Sequence, residues 1–244
     1  MPVPIKPRRS MTLRMSDRYA RKVLSLSPIG FWKLSETNGT VAFDTSGNSR
    51  NGTYSNVVLA QPGIFDGFAT ASLDGSTSTI NIFSSSLQSA FNGAEGTLFL
   101  WAKVSGSGVW SDGTTRQCCI LRADASNTVE IRRSSGNNQQ QCVYVAGGTG
   151  KTVTISSLTT TDWFPIGLTW SKSADQMIAY ISGAQTGATQ TALGTWAGSL
   201  GSGTTRIGSL NSTPLQVWSG GVGLVAVYNY ALSPTQMASL QSLF

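Results

Sequence analysis

The chain has 244 residues, of which 40% are hydrophobic and 11% are charged, and it contains no histidine. This length suits one sizeable domain with its own core, and the lack of histidine excludes Ser-His-Asp and Cys-His catalysis and His-ligated metal sites. The formal net charge of +6 lies in the first 22 residues, because the rest of the chain carries ten basic and ten acidic side chains.

Residues 1–16 are predicted to form an extended basic arm. Three prolines keep this segment extended and stiff. We expect the arm to anchor the chain on another protein of an assembly, and a solvated tail is the alternative. The neutral body shows no basic stripe, which argues against nucleic acid as a partner. The anchoring residues are Lys6, Arg8, Arg9 and Arg14.

After the arm, the pattern predicts a helix, a series of short strands and a closing helix. Residues 17–24 favour a short helix with Tyr19 and Val23 on one face. Short strands separated by turn residues indicate a β sandwich or barrel. Ser233, Pro234 and Gln236 form a capping box that starts the last helix, whose Met237 and Leu240 would pack on the sandwich. Strands are predicted at residues 96–104, 117–122, 128–133, 140–145, 163–170, 176–181, 203–209 and 221–230.

The three cysteines, Cys118, Cys119 and Cys142, are expected to be free thiols, because an odd number with an adjacent pair makes no disulfide framework. A pairing with Cys142 is the alternative. The first 25 residues lack the apolar core of a signal peptide, and no apolar run approaches the roughly 18–20 residues of a membrane span. We therefore expect cytoplasmic synthesis and no membrane span.

Several short motifs follow one another in an order that resembles a known family. Trp32 precedes an Asp-Thr-Ser-Gly-Asn turn at residues 44–48 and a Gly-Thr-Tyr strand at residues 52–54. Leu73-Asp74-Gly75, the strand at 96–104, the hairpin at 163–183 and Arg206-Ile207-Gly208 come later. Together they resemble the laminin-G-like, concanavalin A-type lectin and glucanase jelly roll over residues 19–240.

The resemblance implies an all-β, concanavalin A-like jelly-roll sandwich of two antiparallel sheets, with a short N-terminal helix and a C-terminal capping helix. The domain would occupy residues 17–244. Some members bind calcium, so Asp44, Asn48 and Asp74 are candidate oxygen ligands. Asx turns that hold hairpin geometry are the alternative for each. Gly223 and Leu224 stand where the family often has Asp and Glu, which weakens a calcium site on that strand.

Glucanases of this fold carry three carboxylates as Glu-x-Asp-x-x-Glu, which places acid, orienter and nucleophile in one cleft. That spacing does not occur in this sequence. We therefore expect no enzymatic activity. A glycoside hydrolase built from carboxylates that converge from distant strands is the least favoured alternative.

Binding of a glycan typically uses an aromatic platform together with amide and hydroxyl groups. Trp110 and Trp196 lie in loops rich in Gly and Ser, where each is either a platform or a plug beneath its loop. Asn137, Asn138 and Gln140 belong to a polar run that would line a glycan site, form an assembly contact or be a solvated turn. These five residues are the candidate glycan-binding set.

A jelly roll preceded by a basic arm and by the Tyr-x-x-x-Val-Leu pattern of residues 19–24 is similar to domains of bacteriophage structural proteins. The resemblance implies a non-enzymatic virion protein, either a capsid decoration or a head or tail fibre component. Its arm would hold it on other virion proteins in several copies, and the jelly roll at the particle surface would bind host-surface glycans. A free carbohydrate-binding module is the alternative.

Overall fold

The computed structural model describes residues 15–65 and 67–242, which form two antiparallel sheets of eight strands each. The predicted jelly-roll sandwich is confirmed. The basic residues Lys6, Arg8, Arg9 and Arg14 of the predicted arm lie outside the described residues. None of the described helices has the length and apolar composition needed to cross a bilayer.

The elements in chain order are α1 (Met15–Leu24), β1 (Gly30–Trp32), β2 (Val41–Ala42), β3 (Gly52–Ser55), β4 (Val58–Pro62), β5 (Ala69–Asp74), β6 (Thr79–Asn81), α2 (Ser85–Ala90), β7 (Glu95–Val104), β8 (Arg116–Asp124), β9 (Asn127–Arg133), β10 (Gln140–Ala146), β11 (Thr149–Ile155), β12 (Phe164–Ser171), β13 (Gln176–Ile181), β14 (Ala184–Gln190), β15 (Thr205–Ile207), β16 (Ser219–Tyr228) and α3 (Pro234–Gln241). A short 3₁₀ helix, Ser107–Trp110, lies between β7 and β8.

Strand order separates the two layers. Sheet A runs β14-β13-β12-β7-β16-β5-β4, with β1 also paired to β16. Sheet B runs β11-β10-β9-β8-β15-β6-β3-β2. The strands predicted at residues 117–122, 128–133 and 140–145 are confirmed as β8, β9 and β10, which form an antiparallel meander, and the hairpin noted at 163–183 is confirmed as β12 and β13.

The main core fills the space between the sheets. Along β9, Val129 and Ile131 point into it, while Glu130 between them belongs to the opposite face, as the two-residue period of a strand requires. Each large apolar side chain buried in this way contributes about 1.5–3 kcal/mol. Cys118, Cys119 and Cys142 are buried free thiols, as predicted, and burial raises the pKa of each.

A second core covers part of the outer face of sheet A. Phe99 and Trp101 of β7 pack there with Tyr19 and Val23 of α1 and with Met237 and Leu240 of α3. The predicted capping box is confirmed: the Ser233 hydroxyl accepts a hydrogen bond from the Gln236 amide, and Gln236 Oε1 accepts one from the Ser233 amide. Among the described residues, the outer face of sheet B carries no comparable apolar cluster and is therefore left open.

Candidate ligand-binding face

A groove of about 430 Å³ lies on this open face of sheet B. The strand period explains its lining. On β10, Cys142 and Tyr144 point into the core, so Val143 and Val145 face the groove. The described residues that line it are Gln117, Arg122, Ala125, Thr128, Glu130, Arg132, Val143, Val145, Gly150, Thr152, Leu210 and Gln216.

A row of hydrogen-bonded polar side chains, called here the polar ladder, crosses this face. Its members are Gln216, Gln117, Glu130, Arg132, Gln141 and Thr154. Strand register produces the row, because Arg132 of β9 lies opposite Gln117 of β8 on one side and Gln141 of β10 on the other. Thr154 of β11 in turn lies opposite Gln141.

Each step of the polar ladder is a defined contact. Gln117 Nε2 donates to Gln216 Oε1 at 3.1 Å and to Glu130 Oε2 at 3.0 Å. Arg132 Nη1 lies 2.7 Å from Glu130 Oε1, and Arg132 Nε donates to Gln141 Oε1 at 3.1 Å. Gln141 Nε2 donates to Thr154 Oγ1 at 3.3 Å. The side chains are therefore held in fixed orientations before any ligand arrives.

Glu130 is the buried charge of the groove, with 5% of its surface exposed. Burial raises the pKa of its carboxyl above the usual range, and the Arg132 charge, the Gln117 hydrogen bond and the Arg122 charge oppose that rise. Gln117 is fully buried, and its Oε1 has no hydrogen-bond partner. An unpaired buried acceptor is uncommon in a folded protein and leaves bonding capacity at the floor of the groove.

The chemistry of the groove suits a hydroxyl-rich ligand. Amides, a carboxylate and a guanidinium can satisfy hydroxyl groups, each of which both donates and accepts. Val143, Val145 and Leu210 supply apolar surface beside them. Among the described residues that line the groove, Glu130 is the sole carboxylate, whereas glycoside hydrolysis by the usual route needs two.

Two of the sequence-predicted glycan residues are buried. Trp110 is 1% exposed, packs against Phe164 with ring centroids 5.8 Å apart, and donates from Nε1 to the Thr160 carbonyl at 2.8 Å. It is a plug beneath its loop, and its ring leaves no face for a sugar. Gln140 is fully buried, and its Nε2 donates to Cys118 Sγ at 3.1 Å. Burial therefore excludes both residues from direct ligand contact in this structure.

The other three predicted glycan residues do not form one site. Asn137 is exposed and Asn138 is half-buried, both just before β10 begins. Trp196 is half-buried near the other end of β10, where it stacks on Tyr144 at 6.3 Å between ring centroids. It also covers Gly93, because a Cβ there would lie 2.1 Å from its ring. The three residues thus occupy opposite ends of the sandwich.

Among the candidate calcium ligands, the two carboxylates already accept hydrogen bonds. Asp44 Oδ1 accepts from the amides of Phe31 and Ser46, and its Oδ2 accepts from the Arg50 amide and the Ser46 hydroxyl. Asn48 donates from Nδ2 to the Ser46 hydroxyl at 2.9 Å and to nearby carbonyls, so its amide nitrogen faces the loop. These residues hold a turn, which is the alternative that the sequence offered.

Asp74 organises a separate turn. Its Oδ1 accepts from the amides of Ser76, Thr77 and Ser78, and its Oδ2 accepts from the Thr77 hydroxyl at 2.6 Å. Burial alone would raise the pKa of this carboxyl, but these hydrogen bonds outweigh it and lower the pKa. No group of three or more acidic, Cys or His residues that could hold a metal occurs within residues 15–65 and 67–242. Asp44 and Asp74 thus each hold a turn through hydrogen bonds, and calcium binding at these candidate ligands stays a prediction.

Sequence reasoning missed Gln117, Glu130 and Arg132 of the ladder, and it recognised Gln141 only as the end of the polar run at residues 137–141. The available signal was the alternation of polar and apolar residues through residues 128–132, which places two charges on the outward face of a strand. Alternation reveals that face but not the strands beside it. The row appears when the register of four strands is known.

A family model described as the concanavalin A-like lectin/glucanases superfamily matches residues 74–238. The chain belongs to this superfamily. The family resemblance predicted from the sequence motifs is thereby confirmed. A search of curated protein sequences gave no match.

Three solved structures illustrate the shared fold. Domain 4 of AbnA, a GH43 extracellular arabinanase from Geobacillus stearothermophilus solved with arabinotriose, is 15% identical with a TM-score of 0.62, covering 88% of this chain and 98% of that domain. The binding domain of Paraclostridial Mosquitocidal Protein 1 is 14% identical with a TM-score of 0.65, and the match covers 89% of this chain and 52% of that domain. The botulinum neurotoxin serotype D binding domain is 17% identical with a TM-score of 0.59, and the match covers 88% of this chain and 51% of that domain.

This concanavalin A-like chain spans about half the length of the two toxin binding domains it matches. At such low identities the similarity shows the fold and carries no site residue across. The polar ladder and its groove therefore rest on the geometry of this chain alone.

Proposed function

We propose that this chain is a non-catalytic adhesion module that binds a carbohydrate in the groove on sheet B. The observation that carries the proposal is the polar ladder, a preorganised row of planar polar side chains on the face that the helices leave open. Preorganised polar groups beside apolar surface are the usual equipment of a site for a small polar ligand. The arabinotriose complex of a similar domain supports this ligand class.

Binding without catalysis is supported by Glu130, the sole carboxylate among the described residues that line the groove. Both oxygens of Glu130 are engaged, by Arg132 and by Gln117. A second carboxyl at a defined separation is what hydrolysis of a glycosidic bond would need. The toxin structures that share the fold are likewise described as binding domains.

The experiment is a glycan array probed with wild type, Arg122→Gln and Glu130→Gln. We expect wild type to bind a defined set of glycans and both variants to lose at least ten-fold in affinity, equivalent to about 1.4 kcal/mol. Lys151→Gln is the matched control. Lys151 lies on β11 on the same strand face as the core residue Val153, whereas the neighbouring Thr152 lies on the other face and lines the groove. A silent array, or variants that bind as wild type does, would reject the site.

We also propose the setting that the sequence suggested, a phage particle surface on which several copies are anchored through the N-terminal arm to other virion proteins. The support is the concentration of positive charge in residues 1–22, ahead of a formally neutral remainder of the chain. Deleting residues 1–14 removes the basic residues of the predicted arm and stops before Met15, where α1 begins. We expect the truncated chain to fold and bind glycan but not to enter particles, and unchanged incorporation would refute the anchoring role.

A further inference from the structure

We propose that the outer face of sheet A carries a second, independent site that takes one uronic acid residue. Strand register brings Lys103, Gly221 and Ser72 to the same level there, and Trp163, directly before the Phe164 that pairs with Ala102, continues the row. All four belong to the outward face, because Phe164, Ala102, Val222 and Ala71 beside them point into the main core.

Gly221 turns this row into a trough. A Cβ at Gly221 would lie 2.4 Å from Cη2 of Trp163, so the indole extends across β7 and occupies the space that any other side chain would take. The backbone of Gly220 and Gly221 forms the floor. Trp163 is half-buried, which leaves part of its ring at the wall. Aromatic rings at such walls pack against the apolar face of a sugar.

The trough has a volume of about 180 Å³, below the roughly 300–1,000 Å³ of sites for drug-sized ligands, so it accommodates about one sugar ring. Hydroxyl and amide groups stand around it, from Gln61, Ser72 and Ser105. Gln61 uses its Nε2 on the Leu59 carbonyl at 3.1 Å, which leaves its Oε1 as an acceptor.

The charge of the trough selects an acidic sugar. Lys103 lines it, and within the described part of the chain its ammonium group makes no ion pair or hydrogen bond. No carboxylate is among the described residues that line the trough. A carboxylate at the edge of a pyranose ring would form a charge-assisted hydrogen bond with Lys103 while the ring packs on Trp163. This combination fits a hexuronate better than a neutral hexose.

The experiment uses methyl β-D-glucuronide and its neutral counterpart methyl β-D-glucoside as probes in saturation-transfer NMR with the full chain. We expect glucuronide to bind and glucoside to bind at least ten-fold more weakly. Lys103→Met keeps the aliphatic stem and removes the charge, so it should fold as wild type and lose the preference for glucuronide. Trp163→Ala should lose both ligands, with a thermal melt to confirm that it is folded.

Two comparisons keep this site distinct from the groove on sheet B. Lys151→Met, the same chemical change on the other sheet, should bind glucuronide as wild type does. Arg122→Gln should also retain it, whatever happens to the glycans of the array. The second site is refuted if wild type gives no saturation transfer to glucuronide, if Lys103→Met binds unchanged, or if Arg122→Gln abolishes binding.

Discussion

The indole Nε1 of Trp101 donates a hydrogen bond to the hydroxyl of Tyr19, 2.9 Å away, and so joins β7 of sheet A to helix α1. The same hydroxyl donates to the carbonyl of Leu240 on α3. Lys22 adds hydrogen bonds of 3.0 Å from its ammonium group to the carbonyls of Ser239 and Ser242. The two terminal helices are therefore held together on one face of the sandwich, which leaves the opposite face open for binding.

Tyr19→Phe should destabilise the fold by about 1–3 kcal/mol, because it removes one hydroxyl and leaves a buried indole donor and a buried carbonyl without their partner. Urea unfolding measures the difference. The matched control is Tyr230→Phe, whose hydroxyl makes a single hydrogen bond, to the Leu26 carbonyl at 2.6 Å, in a half-buried position. Equal losses in the two variants would show that the link between helix and sheet adds no more stability than one half-buried hydrogen bond, which would contradict this prediction.

Asp112→Asn should cost about 1–3 kcal/mol at neutral pH. Arg133 is fully buried, and Asp112 is its charged partner at 2.9 Å, while the same carboxylate lies 2.7 Å from Arg116. Arg133 also donates to the Trp110 carbonyl at 2.7 Å, so the loss should loosen the 3₁₀ helix that places Trp110. Asp162→Asn, on an exposed loop, is the control and should leave the unfolding midpoint unchanged.

Asp112 should also make the free energy of unfolding depend on pH in acid solution. Burial alone would raise the pKa of Asp112, but the Thr114 amide, the Arg116 hydrogen bond and the two arginine charges outweigh it and lower the pKa. Because the folded pKa lies below the unfolded value of about 3.9, the stabilisation is complete above that value and is lost as pH falls through the folded pKa. Unfolding below pH 4 should therefore be less steep for Asp112→Asn than for wild type, and identical slopes would contradict this assignment.

Glu130 should give the free energy of unfolding the opposite dependence on pH from Asp112. Its raised pKa means that the fold favours the protonated carboxyl, so wild type should gain stability relative to Glu130→Gln as pH falls from 7 through the folded pKa towards the unfolded value of about 4.3. At pH 7 the variant should be at least as stable as wild type. Urea unfolding of both proteins at several pH values tests this, and a difference that does not vary with pH would contradict it.

Calcium should not change stability. The oxygens of Asp44 and Asp74 accept hydrogen bonds from backbone amides and hydroxyls, so cation binding would have to break turns that these bonds hold. Thermal melts in millimolar calcium and in EDTA should coincide. A clear rise of the melting temperature in calcium would show a site that those two carboxylates do not describe.

Local signals in the sequence predicted the elements well. The capping box at Ser233 depends on three nearby residues, and the alternation along β9 depends on one strand, so both could be recognised without the structure. The sequence of the Gly-rich loop does not decide whether Trp110 is a ligand platform or a plug, because it does not reveal which residues lie beneath the loop. Its burial depends on Phe164, which is distant in sequence.

The polar ladder could not be predicted in the same way, because it depends on register across four strands. Between Gln117 and Cys119 the pairing of β8 with β9 shifts by a bulge, which changes the partner of every residue beyond it. The contact of Gln117 with Gln216 joins residues that are 99 positions apart. Contacts of that kind follow from topology and not from any local pattern.

The central claim is that the open face of sheet B binds a saccharide, and backbone NMR tests it most directly. An isotope-labelled sample would be titrated with the oligosaccharide that gives the strongest signal on the glycan array. The account predicts saturable amide shifts concentrated in β8 to β11 around Gln117, Glu130 and Arg132. Saturable shifts confined to the loops around Trp196 or Asn137, with those strands unchanged, would contradict it.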